Sequence, residues 1–127
     1  MEFGKNVLGG PLKACCKFPI TGYMRDGYCR MVPSDLGQHT ICVEMTDEFL
    51  EFSKSAGNDL STPIEEYEFP GLIAGDRWCL CAQRWVQAYE AGVAPKVVLS
   101  ASDESMLQLV PLEILKKHAA SEEELRL

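Results

Sequence analysis

Gly75-Asp76-Arg77-Trp78-Cys79-Leu80-Cys81-Ala82-Gln83-Arg84-Trp85 packs both tryptophans and two of the six cysteines of the chain together, and its reading decides how the rest is arranged. As a strand it would set Cys79 and Cys81 on one face, ready to hold a metal or to pair with other thiols. As a helix, at about 100° per residue, it gathers Ala82, Trp85, Val86 and Tyr89 on the side of Trp78 and leaves Gln83, Arg84, Gln87 and Glu90 opposite. That separation predicts a helix from about Asp76 to Ala91, with Asp76 as its N-cap and Gly92 as its stop. Cys79 and Cys81 then border the apolar stripe on opposite sides, which disfavours chelation by Cys-x-Cys. Cys79 would stand in the first turn, where unpaired backbone N–H groups and the dipole activate a thiol. Both cysteines also suit a plain role as small residues at the core edge, and both tryptophans read first as core.

Upstream lies a long acidic connection, Asn58-Asp59-Leu60-Ser61-Thr62-Pro63 through Phe69-Pro70-Gly71, longer than most loops of a compact domain. Before it, Thr46 can cap a helix opened by Asp47 and Glu48 and ended at Gly57, with Phe49, Leu50 and Phe52 on its apolar side. Thr40-Ile41-Cys42-Val43-Glu44-Met45 is β-branched and weakly alternating, the pattern of a strand. In the first third, a turn signal every few residues leaves room only for packed loops and short strands: Gly9-Gly10-Pro11, Pro19, Thr21-Gly22, Asp26-Gly27 and Pro33-Ser34-Asp35-Leu36-Gly37.

Downstream, Lys96-Val97-Val98-Leu99-Ser100-Ala101 reads as a buried strand, and Ser102 as the cap of a helix opened by Asp103 and Glu104. Pro111 restarts or kinks it, and Leu112, Ile114 and Leu115 form the inner side of a last helix. Strands and helices mix without a regular βαβ rhythm. The expected fold is α+β, a small compact two-layer sandwich in which a short sheet carries about three helices packed on one side. It forms one domain over residues 1–127, with fraying expected at 1–5 and 121–127.

The apolar share of 46% and charged share of 24% are those of a globular protein, and no run approaches a membrane span. A formal net charge of −7 works against attraction to phosphate backbones and anionic lipid, so neither nucleic acid nor membrane is expected as a partner. The start, Met1-Glu2-Phe3-Gly4-Lys5-Asn6, has no secretory pattern, which predicts a cytoplasmic protein with reduced cysteines.

Several segments resemble a family of small bacterial and algal or plant proteins known only as a domain of unknown function. They are Asn6-Val7-Leu8-Gly9-Gly10-Pro11-Leu12, Arg25-Asp26-Gly27, Asp35-Leu36-Gly37-Gln38-His39-Thr40, Met45-Thr46-Asp47-Glu48-Phe49-Leu50, Gly57-Asn58-Asp59-Leu60-Ser61-Thr62-Pro63 and Gly75-Asp76-Arg77-Trp78-Cys79-Leu80-Cys81. The likeness runs from Asn6 to about Ala119 and implies a compact two-layer α/β sandwich; it implies no reaction, cofactor or catalytic residue.

Function must then be weighed from side-chain chemistry. Cys29, His39 and Cys42 are the ligand types zinc takes, although paired Cys-x2-Cys knuckles are absent; no cofactor is expected, and zinc is the metal these residues would accept. Cys79 with His39 as base is the candidate nucleophilic pair. Arg25, Asp26, Asp35, Asn58, Asp59, Asp76 and Arg84 sit in turns or on helix borders, where a rigid scaffold presents binding groups, and each also has a plain structural role as turn, cap or solvated face. No P-loop, dinucleotide fingerprint, nucleophile elbow or metalloprotease helix is present. The favoured expectation is a non-catalytic domain binding a small molecule or a protein, and the alternative is a thiol- or metal-dependent enzyme.

Overall fold

A computed structural model describes residues 4–16, 20–67 and 69–121. β1 (Ile41–Glu44) is the centre of a three-stranded antiparallel sheet, flanked by β2 (Arg77–Leu80) and β3 (Lys96–Val97). Ile41 pairs with Leu80, Cys42 with Cys79, Val43 with Trp78 and Glu44 with Arg77; on the other side Val43 pairs with Val97. Because side chains alternate along a strand, Ile41 and Val43 face one way and Cys42 the other. The first face joins Leu80 and Val97 in a core built with Phe49, Leu50, Ala82, Trp85, Ala88 and Leu115. The second joins Cys15, Cys29, Cys79, Val98 and Ala101 in a smaller, sulfur-rich core beneath the N-terminal chain.

All three helices feed the first core. α1 (Asp47–Ser55) starts where the Thr46 hydroxyl accepts the Phe49 N–H at 3.2 Å, with Asp47 and Glu48 at the positive end of its dipole. It stops at Gly57, whose φ of +93° turns the chain. α2 (Ala82–Glu90) buries Ala82, Trp85 and Ala88. The Trp85 indole is fully buried, donates to the Pro95 carbonyl at 3.2 Å, stacks on Tyr89 and meets His118 edge-on. His118 lies just past α3 (Leu112–Lys117), so this aromatic cluster ties the last two helices together. The architecture is the mixed α+β arrangement expected from the sequence.

The helix expected over Asp76–Ala91 is instead a strand followed by a helix. Residues 77–80 extend along β1, and the chain turns at Cys81 into α2. The helical stripe was real only for its second half. Trp78 reaches the core from β2 and Trp85 from α2, and both meet the same apolar layer. Asp76 is accordingly not an N-cap of this helix; its carboxylate accepts the Ile73 N–H in a turn. At Cys81 no side chain caps α2, and the Ala82 N–H goes instead to the Gln38 carbonyl at 2.9 Å.

Two further boundaries differ. The strand expected over Lys96–Ala101 keeps its ladder only at Lys96–Val97, then tightens into a 3₁₀ turn at Leu99–Ala101, because the Val98 and Ala101 side chains must reach the sulfur-rich core. The helix expected from Ser102 is a 3₁₀ segment, Glu104–Gln108, capped by Asp103, while the Ser102 hydroxyl accepts the Cys42 N–H and donates to the Val98 carbonyl. The long acidic connection carries one 3₁₀ turn, Glu65–Tyr67. Of the residues where fraying is expected, 1–5 and 121–127, all but 4, 5 and 121 lie outside the described residues.

Candidate functional site

The outer edge of β2 is covered by the loop Thr21–Gly27, whose hairpin-like turn is closed by Arg25 N–H to the Gly22 carbonyl and Gly27 N–H to the Thr21 carbonyl, both 2.9 Å. Gly22 has φ +96°, and a Cβ there would stand 2.5 Å from the Tyr28 carbonyl oxygen, so only glycine fits. This turn holds Arg25 in the left-handed region, φ +56°, with its guanidinium carbon 5.7 Å from the centre of the Trp78 ring. Thr21 secures the loop to the sheet: its hydroxyl accepts the Cys79 N–H at 2.7 Å.

Opposite Arg25 stands His39. Gln38, with φ +50°, turns the chain so that the Asp35 carboxylate receives both the His39 backbone N–H at 2.8 Å and the ring Nδ1 at 2.9 Å. A carboxylate only accepts, so Nδ1 carries the proton in this pair and Nε2 is left on the far side of the ring. The Asp35 side chain is 1% exposed and that of His39 39%, an arrangement in which a buried acid orients a half-open imidazole. Tyr23 stacks beside that imidazole, ring centres 6.5 Å apart.

Tyr23, Arg25, His39, Leu60, Trp78 and Cys79 line a cleft of about 320 Å³. It continues past Arg25 and Trp78 into a second hollow of about 290 Å³ walled by Asn58, Asp59, Ile64, Tyr67 and Phe69. Asp59 sits at its rim, fixed by the Thr62 hydroxyl at 2.6 Å and the Ser61 and Thr62 N–H groups. The Thr62 hydroxyl first, then the Ser61 N–H, holds the Asp59 carboxyl below the usual carboxylate range.

Behind the cleft lies the sulfur cluster. Contrary to the expectation of reduced thiols, Cys15 is bonded to Cys42 and Cys29 to Cys79. The partners lie 27 and 50 residues apart in sequence, so local spacing gave no hint of the pairing. The sulfurs of Cys15, Cys29 and Cys79 nevertheless lie within 4.8 Å of one another, which brings the two disulfides into one cluster. Cys16 and Cys81 belong to neither bond.

These contacts sort the sequence candidates. Arg25, His39, Asn58 and Asp59 meet along one cleft, with Asp35 supporting His39 from below. Away from the cleft, Asp26 ties a local turn by accepting the Tyr28 N–H and the Arg30 guanidinium, and Arg84 links α2 to the end of α1 by donating to the Ala56 carbonyl, with a further bond to Gln87. Cys79 is not at a helix start: it is buried in β2, and while its bond to Cys29 stands it has no thiolate to offer. Cys29 and Cys42 belong to the sulfur cluster, whereas the His39 imidazole is held by Asp35 at the cleft. Sequence reasoning missed Cys15 and the aromatic walls Tyr23, Tyr67 and Trp78. The four-residue spacing of Asp35 and His39 signals pairing only on a helix, and here it is the turn at Gln38 that brings them together.

A family model described as an uncharacterized protein conserved in bacteria, DUF2237, matches residues 5–119. The chain belongs to this family. No curated protein matches it. The matched span of the DUF2237 domain takes in the whole sheet, all three helices, the cleft and all four bonded cysteines. No helix among the described residues of this DUF2237 protein is long and apolar enough to cross a membrane.

Proposed function

We propose that the protein is a non-catalytic binding domain, and that its cleft takes a small molecule joining a carboxylate to a planar or apolar body. Arg25 carries this reading. Its guanidinium lies over the Trp78 ring at the junction of the two hollows, and no carboxylate among the described residues pairs with it. Guanidinium donors match a carboxylate in pairs, and the Trp78 and Tyr23 rings supply flat apolar walls beside them. His39 adds a directed ring nitrogen across the cleft, and Asp59 an acceptor at the far rim. The setting on this reading is the cytoplasm, where disulfides, when present, are usually transient or redox-sensing.

The test is a titration with a panel of aromatic carboxylates, followed by tryptophan fluorescence and by amide chemical shifts. Binding should quench Trp78, move the amides of residues 22–25, 39 and 58–60, and weaken at least tenfold in Arg25→Ala with no loss of melting temperature. Equal affinity in Arg25→Ala, or shifts confined to another face, would remove the reading.

A further inference from the structure

We propose that Cys15, Cys29, Cys42 and Cys79 form one redox-gated zinc site: two disulfides when oxidised, four thiolates around a single Zn²⁺ when reduced. The first support is placement. Three of the four sulfurs already lie within 4.8 Å of one another, and the fourth, on Cys42, is bonded to the Cys15 sulfur. A tetrahedral zinc with Zn–S bonds of about 2.3 Å needs sulfurs about 3.8 Å apart. Opening each bond and turning the side chains about χ1 moves the sulfurs toward that spacing.

The second support is that the backbone is fixed independently of the sulfur bonds. Cys42 and Cys79 face each other across β1 and β2, yet neither gives its N–H to the other: Cys42 donates to Ser102 and Cys79 to Thr21. They are therefore a non-hydrogen-bonded pair, the kind whose Cα atoms approach most closely in an antiparallel ladder, at about 4.5 Å. The Cys15 N–H is likewise held by the Gly27 carbonyl. Wherever the reduced chain is folded, these anchors hold the four ligands preset. The four residues are buried, as structural zinc thiolates are, while Cys79 also borders the cleft, which gives a reductant or an ion a way in.

The chemistry balances. Two equivalents of a dithiol reductant deliver four electrons and four protons, turning two disulfides into four thiols while each dithiol closes to a disulfide. Zinc then displaces four protons as four Zn–S bonds form. In reverse, two equivalents of hydrogen peroxide and four protons convert the zinc tetrathiolate into two disulfides, free Zn²⁺ and four waters.

The experiment uses the full chain, reduced anaerobically with dithiothreitol, desalted and titrated with Zn²⁺ and separately with Co²⁺. The expected result is one metal per chain by native mass spectrometry, together with the thiolate charge-transfer and tetrahedral d–d bands of Co²⁺. The oxidised protein should take up none. Cys29→Ser and Cys42→Ser should each weaken uptake by more than the roughly 10–100-fold that loss of an outer-shell group costs. His39→Ala, Cys16→Ser and Cys81→Ser should leave it unchanged. If the reduced, metal-free chain unfolds, Zn²⁺ must restore its far-UV dichroism. Absence of stoichiometric uptake, uptake that survives both Cys29→Ser and Cys42→Ser, or a reduced chain that zinc fails to refold would each overturn the proposal. All of these readouts are independent of ligand binding at Arg25.

Discussion

Removing the Cys29–Cys79 bond by the double substitution Cys29→Ala/Cys79→Ala measures how far this domain depends on its cross-links. The bond closes a loop with a sequence separation of 50 residues and the Cys15–Cys42 bond one of 27. On the chain-entropy account, closing loops of these lengths restricts the unfolded chain by about 4 and about 3.5 kcal/mol respectively. The two loops share the stretch between Cys29 and Cys42, so their combined effect is less than the sum. A domain of this size has only about 5–15 kcal/mol in all, so loss of one bond should leave it folded but weakened, and loss of both should bring it near its midpoint. The assay is urea unfolding in the presence of a chelator, followed by far-UV dichroism. Because the Cys15–Cys42 bond remains, the oxidised variant should lie less than about 4 kcal/mol below the oxidised wild type, whereas the two proteins, fully reduced, should agree within about 1 kcal/mol. A variant as stable as wild type under oxidising conditions, or a wild type indifferent to reduction, would refute the reasoning.

Two further outcomes are expected. Trp85→Ala should lower stability by about 3–5 kcal/mol, since it empties a fully buried site and strips the Pro95 carbonyl of its donor, while Trp78→Ala, half-buried, should cost about half as much in the same urea assay. In an NMR pH titration Asp59 should ionise below the unfolded value of about 3.9 and move upward in Thr62→Val. Because its folded pKa is the lower one, its contribution to stability is present above the unfolded value and fades as pH falls through the folded one.

Where sequence signals were local, they were readable. Thr46, Asp47, Glu48 and Gly57 bracket α1 through capping and dipole chemistry that acts within a turn, and the β-branched run around Ile41 is β1. The Trp/Cys segment misled for a physical reason. β2 is only four residues long, with one face on the helical core and the other on the sulfur cluster, so it shows no polar alternation, and Trp78 happens to lie two helical turns before Trp85. The long strand expected after Pro95 failed similarly, since an unbroken apolar run also suits a tight turn that is buried all round. Of the cleft, Arg25, Asn58 and Asp59 were legible as polar turn residues, whereas Trp78 looked like core and Tyr23 and Tyr67 carried no signal of their own, and only tertiary folding unites them. The cysteine pairings depend wholly on long-range topology.

The overlap of the two cross-links also governs what a protease can achieve. Any single cut in the backbone between Cys15 and Cys79 is spanned by at least one sulfur bond, and a cut between Cys29 and Cys42 is spanned by both. The exposed stretch around Met31, Pro33, Ser34 and Leu36 falls in that doubly bridged interval. A nick there yields two pieces that still travel as one molecule and separate only on reduction, so the oxidised protein can lose chain continuity in an exposed loop without losing a fragment.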